Sequence, residues 1–161
     1  MNPVLRLGLI VATISVAIDQ VFKIQMVEFM ASHPYGIDVT SFFRLVMVWN
    51  SGVSFGMFAG GEVTRWILIG VSLLICLVLV IWMARTQDKL LGLSLGLVLG
   101  GALGNVIDRL HYGRVADFFD VDLIFMRWPA FNIADMCIVG GVLLMLVQSL
   151  FFDENSSKKD P

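Results

Sequence analysis

The sequence predicts an all-α polytopic membrane protein of four transmembrane helices, on three observations. The chain is 58% hydrophobic and 15% charged, with a mean hydropathy of +0.86, whereas a soluble domain is about half apolar and about a quarter charged. A soluble chain of 161 residues cannot hide that much apolar surface, because a domain of this size buries only about two thirds of what the unfolded chain exposes; a bilayer removes the problem. Finally, four segments stay apolar over the roughly 20 residues that a helix needs to cross a hydrocarbon core about 30 Å thick.

The first span covers about residues 4–25 and carries Asp19 and Lys23 near its far end. Its apolar stretch follows Arg6, as in a secretory leader, but no small-x-small cleavage site closes it and Asp19-Gln20 interrupts it, so it is read as retained. The second span, about 66–84, is nearly pure Ile, Leu and Val; the third, about 90–110, is glycine-rich; the fourth covers about 133–152. Residues 153–161 (DENSSKKDP) form a polar tail expected to be disordered.

Orientation follows from Lys and Arg near the span ends. Arg6, Arg85, Lys89, Lys158 and Lys159 fall on one side in short segments, and Arg44, Arg65, Arg114 and Arg127 fall on the other, spread over two long connections. The denser side predicts both termini in the cytoplasm. The long connections, about 26–65 and 111–132, then lie outside. Residues 43–49 (FRLVMVW) in the first suit a short strand. In the second, Phe118, Phe119, Val121, Leu123, Ile124, Phe125, Met126 and Trp128 among aspartates and Arg127 suggest an amphipathic segment resting at the interface.

Charge inside a membrane helix costs roughly 2.5–3.5 kcal/mol on insertion scales. Yet Asp19, Lys23, Asp108, Arg109 and Asp135 all lie on or at the edge of apolar spans, each toward the outer end. Polar groups collected at one depth predict one shared site. Asp19 and Lys23 are i, i+4 and can pair on one face; Asn105, Asp108 and Arg109 share a face of the third span, where interhelical hydrogen bonding is the structural alternative. Asn132 and Asp135 stand in capping-box positions at the start of the fourth span, a structural role as good as a functional one. Asp117, Asp120 and Asp122 follow the third span, and spacing does not rank them.

The remaining features are structural or exclude other functions. Gly92, Gly96, Gly100 and Gly104 form a small-xxx-small stripe suited to close helix packing. The GGALG run lacks the strand and the GKS/GKT of a phosphate loop. Cys76 and Cys137 sit in apolar runs and read as packing residues. His33 and His111 lack partners at ligand spacing, so neither metal nor cofactor is expected. A net charge of −2 gives no basic field for nucleic acid.

Taken together, four motifs resemble a known family. Asp19-Gln20-Val21-Phe22-Lys23 is similar to a DQxxK signature, and residues 50–56 (NSGVSFG) to NxGxAF with Ser54 in place of Ala. Residues 100–109 (GGALGNVIDR), followed by Gly113 and Val115-Ala116-Asp117-Phe118, resemble a GGxxGNxxDR…GxVxDF block, and Phe131-Asn132-Ile133-Ala134-Asp135 resembles FNxAD. The family is lipoprotein signal peptidase, or signal peptidase II, and the likeness covers nearly the whole chain in order.

The resemblance implies one four-helix catalytic domain over residues 1–152 with a small extracytoplasmic β-rich cradle in the first connection, and a flap helix placed in that connection too. It selects Asp117 and Asp135 as an aspartic catalytic pair over Asp120 and Asp122. Asn50, Gly52, Gly101, Asn105, Asp108, Arg109, Asn132 and Ala134 would line or support the site, with Asp19 and Lys23 as structural or substrate-positioning groups. The implied substrate is a prolipoprotein cut just before a diacylglyceryl-cysteine, by a monomer in contact with lipid in the bacterial inner membrane, its active site near the outer face. The rivals are an ion-coupled transporter, disfavoured by the lack of an inverted repeat, and a non-enzymatic membrane subunit, which leaves the Asn/Asp set on separate helix ends without a purpose.

Overall fold

The computed structural model describes residues 2–52, 61–123 and 125–151. Four helices carry the expected spans: α1 (Pro3–Met30), α2 (Gly61–Arg85), α3 (Lys89–His111) and α4 (Ile133–Phe151), each long and apolar enough to cross a membrane. Two begin or end beyond the predicted limits. α1 continues from residue 25 to Met30 because nothing in its last turn breaks a helix, and Met26 and Met30 find apolar cover against Phe118. α2 starts at Gly61 rather than near 66, and Arg65 in this added turn stacks on the Trp66 ring.

Local chemistry sets the helix starts. Pro3 occupies the first turn of α1, where its missing N–H costs nothing, and the Asn2 side chain accepts from the Val4 N–H. The same Asn2 donates to the Ala84 and Thr86 carbonyls, binding the N-terminus to the α2–α3 turn. Asp88 caps α3 by accepting from the Leu90 and Leu91 N–H groups.

α3 is the central helix. It buries residues along its whole length, from Gly92 to Asp108, whereas α2 buries Ile69, Cys76, Leu79 and Met83, and α4 buries Ala134 and Gly141. The glycine stripe explains how the neighbours approach so closely. A Cβ on Gly96 would stand 2.6 Å from the Gly8 carbonyl oxygen, and one on Gly100 would stand 2.8 Å from the Ala12 carbonyl oxygen. Gly101 and Gly141 serve the α3–α4 seam in the same way, against Ala134 and against the Ser94 carbonyl. With no hydrophobic force between helices in lipid, such close contact supplies much of the attraction.

A four-stranded antiparallel sheet lies at one end of the bundle, in the order β1 (Ile37–Asp38), β2 (Phe43–Asn50), β3 (Val115–Leu123), β4 (Met126–Arg127). The cradle is therefore shared by both long connections, and not confined to the first. The interfacial segment expected from Phe118 to Trp128 overlaps β3, residues 115–123. They form a strand because Val115, Ala116, Asp117 and Phe118 are buried, with Phe118 against Met26 and Met30 of α1. At the β3–β4 end Leu123, Phe125, Met126 and Trp128 stay exposed.

Pairing of β2 with β3 sets Val48 opposite Asp117 and Asn50 opposite Val115, with a bulge between Leu45 and Val48. The described part of the first connection, residues 31–52, holds β1 and β2 and no helix. The flap helix expected in this connection is not among those described residues; residues 53–60, with 53–56 of the second motif, lie outside them, as do residues 152–161 of the tail.

Candidate active site

Asp117 stands on β3 and Asp135 in the first turn of α4, brought together where the sheet meets the end of the bundle. Asp117 is 2% exposed, and each of its oxygens accepts one amide: Asn132 Nδ2 donates to Oδ1 at 2.6 Å and Asn50 Nδ2 donates to Oδ2 at 3.0 Å. Asp135 accepts from Asn105 Nδ2 at 2.8 Å through Oδ1 and from the Asn132 backbone N–H at 3.2 Å through Oδ2. The Asp135 N–H in turn donates to Asn132 Oδ1 at 3.0 Å. The capping box expected from the sequence is thus formed, and its Asn132 also reaches Asp117.

Asn132 and Asn105 link the two acids. Asn132 Nδ2 is 3.3 Å from Asn105 Oδ1, which closes a chain of hydrogen bonds from Asp117 through both amides to Asp135. Burial pushes the Asp117 carboxyl up to about 7, with the Asp135 charge adding to the rise and the Asn50 and Asn132 hydrogen bonds and the Lys23 charge opposing it.

Beneath this pair lies a second polar cluster, fully buried. Lys23 Nζ pairs with Asp19 at 2.9 Å and with Asp108 at 3.0 Å, and donates to Asn105 Oδ1 at 3.1 Å. Asp19 accepts the Ala134 N–H at 2.9 Å, holding the start of α4 to α1, and Asp108 accepts the Ala116 N–H at 3.0 Å, holding the start of β3 to α3. Two acids that tie down the starts of α4 and β3 would be costly unpaired; Lys23 supplies the counter-charge. The predicted i, i+4 pair is therefore present and belongs to a larger network.

Other expected residues fall into place around it. Arg109 donates to the Gly52 carbonyl at 3.1 Å, and the Gly52 N–H donates to Asn50 Oδ1 at 3.0 Å, so Arg109 steadies the turn that carries Asn50. Gly101 and Ala134 meet backbone to backbone and set the position of α4. Two residues escaped the sequence reading as site members. Gln20 donates to Asp19, to Asp108 and to the Gly104 carbonyl, at 3.1, 3.0 and 3.2 Å. Gly104, read as helix packing, makes room for a carboxylate: a Cβ there would lie 2.5 Å from Asp19 Oδ2. The signal for Gln20 was its place beside Asp19 in the first motif; for Gly104 it was its position one residue from Asn105.

Asp120 belongs elsewhere. It is bound by Arg127 at 2.5 Å and lies 3.9 Å from Arg44, lining a groove of about 480 Å³ with Tyr35 and Trp128. Neither Asp117 nor Asp135 lines that groove.

Residues 11–151 match the family model described as Signal peptidase (SPase) II. The chain is 44% identical over 156 residues to a lipoprotein signal peptidase of Rhodopseudomonas palustris, covering 93% of this chain and 94% of that one. It is 40% identical over 162 residues to a lipoprotein signal peptidase of Sphingopyxis alaskensis, covering 99% and 94%. A solved structure described as a bacterial membrane enzyme superposes with a TM-score of 0.80 at 27% identity, covering 96% of this chain and 92% of that one. With its four spans, its sheet and its aspartates in the matching motifs, this chain belongs to the signal peptidase II family.

Proposed function

We propose that this protein is an intramembrane aspartic endopeptidase that removes signal peptides from prolipoproteins, cutting before the lipid-modified cysteine, with Asp117 and Asp135 as the catalytic pair. The observation that carries the reading is the hydrogen-bond chain joining these two acids, from separate stretches of the fold, through Asn132 and Asn105.

Hydrolysis of a peptide without a nucleophilic side chain needs an activated water. Two neighbouring carboxyls that share one proton provide both halves of the catalyst. Asp117, buried and pushed up to about 7, is suited to hold the proton and to polarise the scissile carbonyl. Asp135, at the start of α4, takes a proton from the attacking water as the tetrahedral gem-diol forms; collapse follows when an acid protonates the departing amine. The lipid chains of the substrate would enter sideways from the bilayer.

The protein acts as a monomer in contact with lipid, both termini in the cytoplasm and the sheet end outside; Arg6, Arg85 and Lys89 near the opposite end support this orientation. Reconstitution with a diacylated prolipoprotein tests the reading. Asp117→Asn and Asp135→Asn each abolish release of the signal peptide without unfolding the protein, while Asp120→Asn keeps it. Cleavage that survives either of the first two, or fails with the third, would mean the acids are wrongly named.

A further inference from the structure

Three side-chain amides present an NH2 group to the two aspartates: Asn50 and Asn132 to Asp117, and Asn105 to Asp135. An amide can turn over and offer its oxygen instead, which would set a lone pair against a carboxylate. Each of the three is prevented from doing so by a donor on its oxygen. For Asn50 the donor is the Gly52 N–H, and for Asn132 it is the Asp135 N–H. Both are backbone groups, fixed by the fold.

Asn105 is different. Its Oδ1 receives the Asn132 NH2 at 3.3 Å and the Lys23 ammonium at 3.1 Å, the latter wholly buried. An ammonium only donates, so it admits only the oxygen of Asn105 and turns the NH2 toward Asp135. Lys23 is itself immobilised between Asp19 and Asp108.

We infer that Lys23 is a positioning residue for the cleavage reaction: held by Asp19 and Asp108, it locks the Asn105 amide with its NH2 on Asp135, so that Asp135 serves as the base and Asp117 carries the shared proton. This rests on the aspartic pair proposed above. The Lys23 charge also opposes the rise in the Asp117 carboxyl, so losing it alters the proton affinity of the pair as well as its geometry.

The test uses a charge-balanced double variant, Lys23→Met with Asp108→Asn, which removes one buried charge of each sign. It is assayed on a diacylated prolipoprotein in proteoliposomes across pH. Loss of one charge-assisted hydrogen bond predicts a kcat lower by roughly tenfold to a hundredfold, a KM close to the parent, and an alkaline limb displaced from its parent position. A purely structural lysine would reduce activity only in proportion to the folded fraction and leave the pH profile in place, and that result would overturn the inference.

Asn105→Asp, nearly isosteric, gives a second answer that does not depend on how the double variant folds. It keeps an oxygen toward Lys23 and sets another against Asp135, so cleavage is lost at neutral pH and partly restored at lower pH, where an added proton bridges the two. Parent-like activity and profile in this variant would also overturn the inference. The two ideas separate cleanly: Asp117→Asn or Asp135→Asn that still cleaves defeats the aspartic pair, whereas inert aspartate variants with an unmoved Lys23 double variant defeat only the positioning role.

Discussion

The α1–α3 seam uses one four-residue repeat for two purposes. Along most of its length Gly92, Gly96 and Gly100 admit Val4, Gly8, Ala12 and Ser15, so the helices meet through backbone and small side chains. At the sheet end the same repeat reaches Gly104, and the space it opens is filled by the Asp19 carboxylate. The lower seam is a device for attraction between helices; the upper seam is a socket for charge. Identical spacing in sequence therefore does not mean identical function, and the depth along the helix decides which applies.

The comparison can be broken from either end. The largest effect is expected at the acids themselves: Asp117→Asn should take cleavage below detection, a loss of at least the roughly 10²–10⁴-fold that a positioned acid or base contributes. It should also change stability with pH. The folded Asp117 carboxyl lies at about 7 against an ordinary value of 3.8, so between these values the folded chain binds a proton that the unfolded chain has released. Stability of the parent therefore falls as pH rises through that window and levels off above it. Thermal unfolding in detergent at several pH values should show that fall in the parent and a flatter profile in Asp117→Asn.

Next comes Gly104→Ala. A methyl 2.5 Å from Asp19 Oδ2 and 3.3 Å from the Ala134 Cβ has to displace a carboxylate that holds the start of α4. Misplacing that helix start should cost roughly a hundredfold in cleavage rate, measured per folded molecule. Gly96→Ala, in the lower seam, should instead show its effect in stability, about 1–3 kcal/mol for overpacking, while the molecules that remain folded keep near-parent rates. If the two substitutions behaved alike in rate and in melting temperature, the division of the seam would be wrong.

Smaller still is Asn50→Ala. It removes a hydrogen bond that favours the charged form of Asp117, so the carboxyl should rise further and the alkaline limb of kcat/KM should move to higher pH. A limb moving the other way would contradict the assigned donor. The smallest change is expected from Asp120→Asn, whose partner Arg127 is largely exposed and whose groove is separate from the pair; cleavage rates should stay near those of the parent.

Much of this was legible in the residues because the cues are local. Apolar length marked the four spans, and charges at one depth marked one site. The Asp19–Lys23 pair and the Asn132–Asp135 capping box both follow from helical spacing. The sheet was less legible, since its second half comes from a connection whose apolar residues also suit a surface segment; only pairing with β2 and cover from Met26 and Met30 make it a strand. Asp120 and Asp122 lie an odd number of residues from Asp117, on the opposite face of the pleat. The bonds that join α1 to α4 and α3 to β3 through Asp19 and Asp108 were beyond reach, because they depend on helices meeting far apart in sequence.

The most direct test of the account is the proton itself. Infrared difference spectroscopy of the detergent-solubilised protein, titrated with pH, reports protonated carboxyl groups by their carbonyl stretch. The account predicts a protonated carboxyl that is lost with a midpoint at about 7 and that is missing from Asp117→Asn. A spectrum with no such group at mildly acidic pH, or one unchanged by that substitution, would contradict it.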